Sequence, residues 1–301
     1  MMKKIMATAA VVALMAGAPA QAALRVLATS ADWASLVREL GGDKVDVYSA
    51  TSAFQDVHRV DAKPSLVARA RNADLIVATG AELEIGWLPV LLQESGNARV
   101  QPGSAGYFEA ARQLRLLEVP AKVDRSMGDV HPDGNPHVQL DPRNIAIVAK
   151  ALTVRLAAID APNAAWYTAR GADFQQRWQQ AMARWEQQAA PLKGVGVIVI
   201  HQDQTYLLQW LGLREIAAME PKPGVPPSSG YLAALVTRLA TDPPKLILRN
   251  AYNDSKSADW LAAKVSAPVV LLPFSVGGTP GAKDLFGLFD DTLGRLLGTV
   301  K

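Results

Sequence analysis

Four histidines and no cysteine set what this chain of 301 residues can do with a metal. The histidines are His58, His131, His137 and His201, and none lies inside an amphipathic helical pattern where a core or surface role would account for it. His58 closes Gln55-Asp-Val-His58 a few residues past a strand pattern, and His137 closes Gly134-Asn-Pro-His137, four residues ahead of Asp141. His201 ends the most apolar strand pattern of the chain. With thiolates excluded, the ligand menu is His, Asp, Glu and water. Three neutral imidazoles and one further donor satisfy a tetrahedral zinc ion. Taken singly, a histidine at a strand end is more often an ordinary hydrogen-bonded loop residue. The intervals from 58 to 137 and from 137 to 201 form no compact metal motif, so a fold has to bring these residues together.

The elements around them are those of an α/β protein. Short β-rich runs at Leu24-Arg-Val-Leu-Ala-Thr-Ser, Val45-Asp-Val-Tyr-Ser-Ala-Thr and Ala73-Asp-Leu-Ile-Val-Ala-Thr-Gly80 alternate with helical spacing at 33–40 and 64–71. The grammar repeats in the second half. Strands are predicted at Gly194–His201, Lys245–Arg249 and Pro268–Leu272, with helices at 206–211, 232–240, 257–264 and 284–297. Such alternation predicts βαβ units and parallel sheets. Between the halves Asp141-Pro142 supplies a helix cap and a first-turn proline. An apolar-periodic run to Ile159 follows, broken at Pro162 and resumed from Ala164 to Gln188. The expected architecture is two lobes, each a small parallel sheet flanked by helices, joined by one long backbone helix with a ligand cleft between them. The expected boundaries are a signal peptide at 1–22, a first lobe at 23–140, a connecting helical segment at 141–190 and a second lobe at 191–301. Cleft loops then sit at strand carboxyl ends, where α/β folds bind ligands.

Lys3 and Lys4, the apolar stretch Ile5–Ala16 and Ala20-Gln-Ala22 have the form of a cleavable secretory signal. The stretch is well short of the ~20 residues of a membrane-spanning helix. Without a cysteine there is nothing to lipidate, so the expectation is an unlipidated protein in the periplasm. Cleavage after Ala22 removes two lysines and lowers the formal charge from +3 to +1, which gives no reason to expect nucleic acid or a membrane surface as partner.

At the three histidines the sequence resembles the metal-binding class of periplasmic solute receptors, the zinc and manganese receptors of ABC importers. Gln55-Asp-Val-His58-Arg-Val-Asp-Ala-Lys-Pro64-Ser65 is similar to that family's first ligand loop, and Asn135-Pro-His137-Val-Gln-Leu-Asp141-Pro-Arg-Asn144 to its second. Ile198-Val-Ile-His201, followed by Tyr206, Gly212-Leu213 and Glu220–Ser228, is similar to its third. Ala81–Leu88 resembles the stretch after the third strand. The resemblance implies one metal bound between two lobes, with His58 and His137 from the first and His201 from the second. It also implies an ABC permease as partner and no enzymatic activity; oligomeric state is left open by the sequence, and a monomer suits a shuttle. A metal-loading chaperone is a further partner that the sequence leaves open.

The likeness fails at one ligand. Members supply an Asp just after the last strand of the second lobe, and here that stretch reads Val269-Val-Leu-Leu-Pro-Phe-Ser-Val-Gly-Gly278. The fourth donor is then His131, a water, Glu220 or Asp284, with His131 preferred because a glycine-containing turn separates it from His137. Imidazoles without thiolates favour Zn2+ over Mn2+. Asp56, Glu84 and Asp141 are candidates for holding the imidazoles' other N–H. Two other readings stand beside this one. A zinc-dependent hydrolase shares the three-histidine form but no H-E-x-x-H motif occurs, and a receptor for an organic or chelated ligand would use the histidines as hydrogen-bond donors.

The remaining eye-catching segments have plainer readings. Pro221–Pro227 is a stiff connector, and Ser275–Gly281 is a loop at the cleft rim without the lysine of a phosphate loop. Trp33, Trp87, Trp210 and Trp260 fall in helical patterns as core or lobe-interface residues.

Overall fold

The computed structural model describes residues 22–124 and 127–300; the expected signal segment lies outside them apart from Ala22. Two four-stranded parallel sheets make up the fold. The first joins β1 (Leu24–Ala28), β2 (Val45–Ser49), β3 (Leu75–Ala78) and β4 (Tyr107–Glu109) in the order β2-β1-β3-β4. The second joins β5 (Gly196–Val199), β6 (Arg214–Ala218), β7 (Leu246–Asn250) and β8 (Val269–Leu272) in the order β6-β5-β7-β8. The two sheets share one topology. β3 and β5 are buried along their whole length, as strands covered by helices on both faces must be. In each sheet the chain direction across the strands reverses beside the first strand, so the loops after β1 and β3, and after β5 and β7, open onto a switch point.

The helices of the first lobe are α1 (Ala31–Gly41), α2 (Pro64–Asn72) and α3 (Leu88–Ser95). Those of the second are α6 (Thr205–Leu211), α7 (Ser229–Leu239), α8 (Lys256–Val265) and α9 (Leu285–Thr299). Their starts follow from local chemistry: Ser30, Ser228 and Asp284 accept from backbone N–H groups of the first turns of α1, α7 and α9. Two strands, β4 and β6, escape the sequence reading. β4 is three residues long, and β6 lies at a sheet edge with Arg214 and Glu215 exposed, so neither carries an apolar run.

The connecting segment is two helices, broken around Pro162 as expected, the second folded back along the first. α4 (Pro142–Ile159) starts at Asp141, whose side chain accepts from Arg143 N, and α5 (Ala164–Gln188) folds back along it. Gly171 permits the close approach, since a Cβ there would lie 2.5 Å from Thr153. Only α5 makes the crossing. Its first half is tied to α1 by Trp166 Nε1–Gly41 O at 2.8 Å and Arg170 Nε–Glu39 O at 2.9 Å. Its second half packs Phe174, Trp178 and Trp185 against Phe286 and Phe289 of α9. One apolar core runs from β1 and α1 through α4 and α5 to β5 and α9, with a smaller cluster on the far face of each sheet. Trp33 and Trp87 are core residues and Trp210 packs against the core, as expected. Trp260 is not: it lies 39% exposed on α8 beside Lys264.

Candidate metal centre

The three expected histidines meet where the lobes face each other. His58, His137 and His201 each offer a ring nitrogen, and these atoms lie within 4.8 Å of one another. Ring centroids are 5.3 Å apart for His58–His137, 5.7 Å for His137–His201 and 5.9 Å for His58–His201. Each arrives on a braced loop. The His58 loop, between β2 and α2, is pinned by Trp87, whose indole N–H donates to Val57 O at 2.8 Å. Asn135 Oδ1 accepts from His137 N at 3.0 Å, fixing the turn that leads into the 3-10 turn Val138–Leu140 and the cap of α4. His201 stands two residues beyond β5, at the switch point of the second sheet.

Two carboxylates set ring orientation. Asp56 Oδ1 lies 2.7 Å from His58 Nδ1, and Glu220 Oε2 lies 2.7 Å from His201 Nδ1. Each contact places a proton on Nδ1 and leaves Nε2 to face the cleft. Glu220 is itself held by Gly224 N at 2.8 Å. The other carboxylates considered serve the scaffold instead. Glu84 is buried and accepts from Thr29 Oγ1, Thr79 N and Gly80 N, bracing the loop after β3. Asp141 caps α4 and pairs with Arg143. Asp284 caps α9 through Gly287 N at 2.7 Å. Neither Glu220 nor Asp284 therefore has an oxygen aimed at the three imidazoles as a fourth donor.

His131 does come close. Gly134, at φ 113°, allows the chain reversal and donates from its backbone N–H to His131 O at 3.2 Å. His131 Nε2 then lies 3.2 Å from His58 Nε2, while its ring stays 6.4 Å from that of His137. It stands at the edge of the cluster, on the side where a mouth of about 300 Å³ opens between Glu118, Asn135, His201 and Pro223. On the opposite side the cleft narrows to about 20 Å³ among Asp32, His58, His137, Tyr252 and Phe274. That is room for little more than one water on this side. A larger cavity, about 1130 Å³, lies in the first lobe between α3 and residues 111–119 and has no histidine in its wall.

The electrostatics prepare nitrogen lone pairs. Burial, reinforced by the charges of His58, His201 and His131, holds His137 well below the usual imidazole range. Burial and the charges of His58 and His201 lower His131 to about 4. His201 goes the other way. Burial works to lower it, but the Glu220 hydrogen bond and the charges of Asp203, Glu220 and Asp56 prevail and raise it to about 8. For Asp56, burial acts upward and is outweighed by its bonds and attraction to His58, which leave it below the usual carboxylate range.

Sequence reasoning weighed Glu220 only as an alternative fourth donor and missed it as the partner of His201. The missing signal was β6: with that strand recognised, Glu220 falls at its carboxyl end beside β5 and hence beside His201. Asp32, Asp203 and Tyr252 were missed altogether, because a buried carboxylate or phenol at a loop has no sequence signature.

Comparison with known proteins gives the family. Residues 26–297 match the family described as zinc-uptake complex component A, periplasmic. The chain belongs to that family. It is a family of receptors, not of enzymes. The manganese ABC transporter substrate-binding lipoprotein PsaA of Streptococcus mitis is 28% identical over 147 residues, covering 48% of this chain and 44% of that protein. The iron ABC transporter substrate-binding lipoprotein MtsA of Streptococcus pyogenes serotype M1 is 26% identical over the same shares. The chain thus spans less than half the length of these curated relatives. Among solved structures, that of ZnuA superposes with a TM-score of 0.77 at 21% identity, covering 93% of this chain and all of that one. The manganese-bound periplasmic metal binding protein from Candidatus Liberibacter asiaticus gives 0.74 at 18% identity, covering 92% and 100%. At these identities the superpositions speak to the fold of the zinc-uptake component family. They leave the ion to the chemistry of the site.

Proposed function

We propose that this chain captures Zn2+ between its lobes in the periplasm and delivers it to the membrane permease of an ABC importer. The observation that carries the reading is the convergence of His58, His137 and His201, from both lobes, to within 4.8 Å of one another. Relatives are named for manganese or iron and the family for zinc, so the donor set has to decide. Imidazoles with no carboxylate aimed at the ion favour zinc over manganese.

His131 is the fourth donor in this reading. Zn–N bonds of ~2.05 Å in a tetrahedron separate neighbouring nitrogens by roughly 3.3 Å, and the His58–His131 Nε2 pair stands at 3.2 Å. A small inward swing from the mouth brings it within reach of the ion. The receptor acts as a monomer with lobes at 23–140 and 191–301 linked by 141–190. Its segment 1–22 is removed on export, and with no cysteine in the chain it goes unlipidated, unlike the relatives named lipoproteins. A hydrolase is disfavoured because Asp56 and Glu220, the carboxylates beside the ligands, are both engaged by ligand imidazoles.

The test is metal content and zinc affinity of the protein from residue 23 onward, compared with His58→Ala, His131→Ala, His137→Ala and His201→Ala. One zinc per chain is expected, lost with the variants at 58, 137 and 201 and weakened at 131. Tight manganese binding without zinc binding would reject the ion, and full zinc binding by the His137 variant would reject the site.

A further inference from the structure

Asp203 is 1% exposed and sits two residues beyond His201, yet no step described so far uses it. One of its oxygens is fully engaged: Oδ2 accepts from Asn250 Nδ2 at 2.6 Å and from the Tyr252 hydroxyl at 2.5 Å. The other, Oδ1, is buried with no hydrogen-bond partner. Among the described residues the buried side-chain atoms in that condition are Asp203 Oδ1, Gln204 Oε1, Trp210 Nε1 and Arg249 Nε, so Asp203 supplies the carboxylate oxygen of the set. A buried, half-satisfied carboxylate is costly to a fold and calls for a reason.

Its surroundings supply one. Tyr252, which holds Asp203, lines the narrow side of the cleft together with His58 and His137. Its ring packs 5.1 Å from that of Phe274, which in turn lies 6.0 Å from His137. Asn250, the other donor, takes the side chain of Gln204 on its far side, so the loops after β5 and β7 fix Asp203 from behind. The carboxylate is therefore rigid, dehydrated and adjacent to the loop that carries His201. Three or four neutral imidazoles bring no charge to a divalent cation. Asp56 and Glu220 act on it through the rings of His58 and His201; Asp203 adds a carboxylate on the His201 loop whose Oδ1 no N–H or O–H group neutralises.

We infer that Asp203 is a buried counter-charge for the bound cation, a positioning residue kept for the ion rather than for the fold. This rests on the zinc-receptor reading above. An unpaired buried oxygen is a liability to the fold; a cation held by His201, two residues away in the chain, would oppose its field with positive charge.

The test compares Asp203→Asn, Tyr252→Phe and, as a control on the site itself, His137→Ala in the mature protein. Zinc affinity is read by competition with a chromophoric chelator, and thermal unfolding is followed on the metal-free form. For Asp203→Asn, zinc binding weaker by roughly 10–100-fold is expected, with metal-free melting unchanged or raised. Tyr252→Phe removes a donor and leaves the charge, so its zinc binding should be no weaker than wild type. Wild-type affinity in Asp203→Asn would overturn the inference. So would parallel loss of zinc affinity and metal-free stability in both variants, which would make the network structural. Zinc retained by His137→Ala would reject the site, and this inference with it.

Discussion

Ser275 Oγ donates to Asp32 Oδ2 at 2.8 Å across the cleft, joining the loop after β8 in the second lobe to the first turn of α1 in the first. Val276 N donates to the other oxygen at 2.9 Å. Asp32 is thus a strap between the lobes on the closed side of the histidines. Burial raises its pKa to about 6 against the pull of these two hydrogen bonds.

That strap gives stability a pH dependence with a definite sign. A carboxyl group whose folded pKa is raised favours the folded state below its unfolded pKa of 3.8, and that advantage is lost as pH rises through 6. A shift of this size corresponds to about 2–3 kcal/mol. Asp32→Asn should flatten this part of the profile, because it is neutral throughout and its amide can still accept from Val276. Asp32→Ala leaves the Val276 N–H unpaired and should cost ~1–3 kcal/mol at every pH. Urea unfolding of metal-free protein between pH 4 and 8 checks both; a wild-type slope in Asp32→Asn would remove Asp32 as its source.

Zinc uptake should release a proton. His201, raised to about 8, carries one at pH 7 that the ion must displace, whereas His137 and His131, both lowered, do not. Affinity should therefore fall about tenfold per pH unit from pH 8 toward 6. Calorimetry in buffers of different ionisation enthalpy measures the proton count at pH 7, and a count of zero would contradict this account of His201.

The two ring-orienting carboxylates should matter more for the metal than for the fold. Glu220→Gln and Asp56→Asn are each expected to weaken zinc binding by roughly 10–100-fold. Glu220→Gln should in addition move the onset of the acid-dependent fall in affinity to lower pH, since the main support of the raised His201 pKa is gone. Zinc affinity measured against pH separates the two variants, and an unmoved onset in Glu220→Gln would assign the raised pKa elsewhere.

Tyr206 offers a test of the mouth. Its hydroxyl accepts from Leu117 N at 3.0 Å and donates to Asn135 O at 2.8 Å, linking α6 to the turn that presents His137. Tyr206→Phe leaves both backbone groups unpaired and should cost ~1–3 kcal/mol of stability, with faster zinc release in stopped-flow chelator exchange. Unchanged release would mean that the His137 turn is held by Asn135 alone.

Much of this was legible in the chain itself, for reasons that can be named. His58, His137 and His201 each follow a strand or precede a cap, which put them on cleft loops, but it was the resemblance of their surrounding motifs to the metal-receptor family that joined them into one site. Asp141-Pro142 gave the start of α4, and Gly134 gave the turn beside His131. What stayed hidden was short or paired through space. β4 and β6 lack apolar runs, so the position of Glu220 opposite His201 could not be seen. The fold-back of α5 on α4 depends on Gly171 meeting Thr153, a contact with no local trace. Asp32 and Ser275, 243 positions apart, meet only because α5 and α9 hold both lobes on one core.

That shared core decides how such a receptor can let go. With apolar packing continuous from β1 to α9, swinging the lobes apart would mean tearing a hydrophobic seam, not flexing a hinge. The least costly exit route is local: loosening of the loops that bear His131, His137 and Glu220 at the open mouth. A transporter docking over that mouth would need only to pry two or three loops, leaving the body of the receptor intact for its next round.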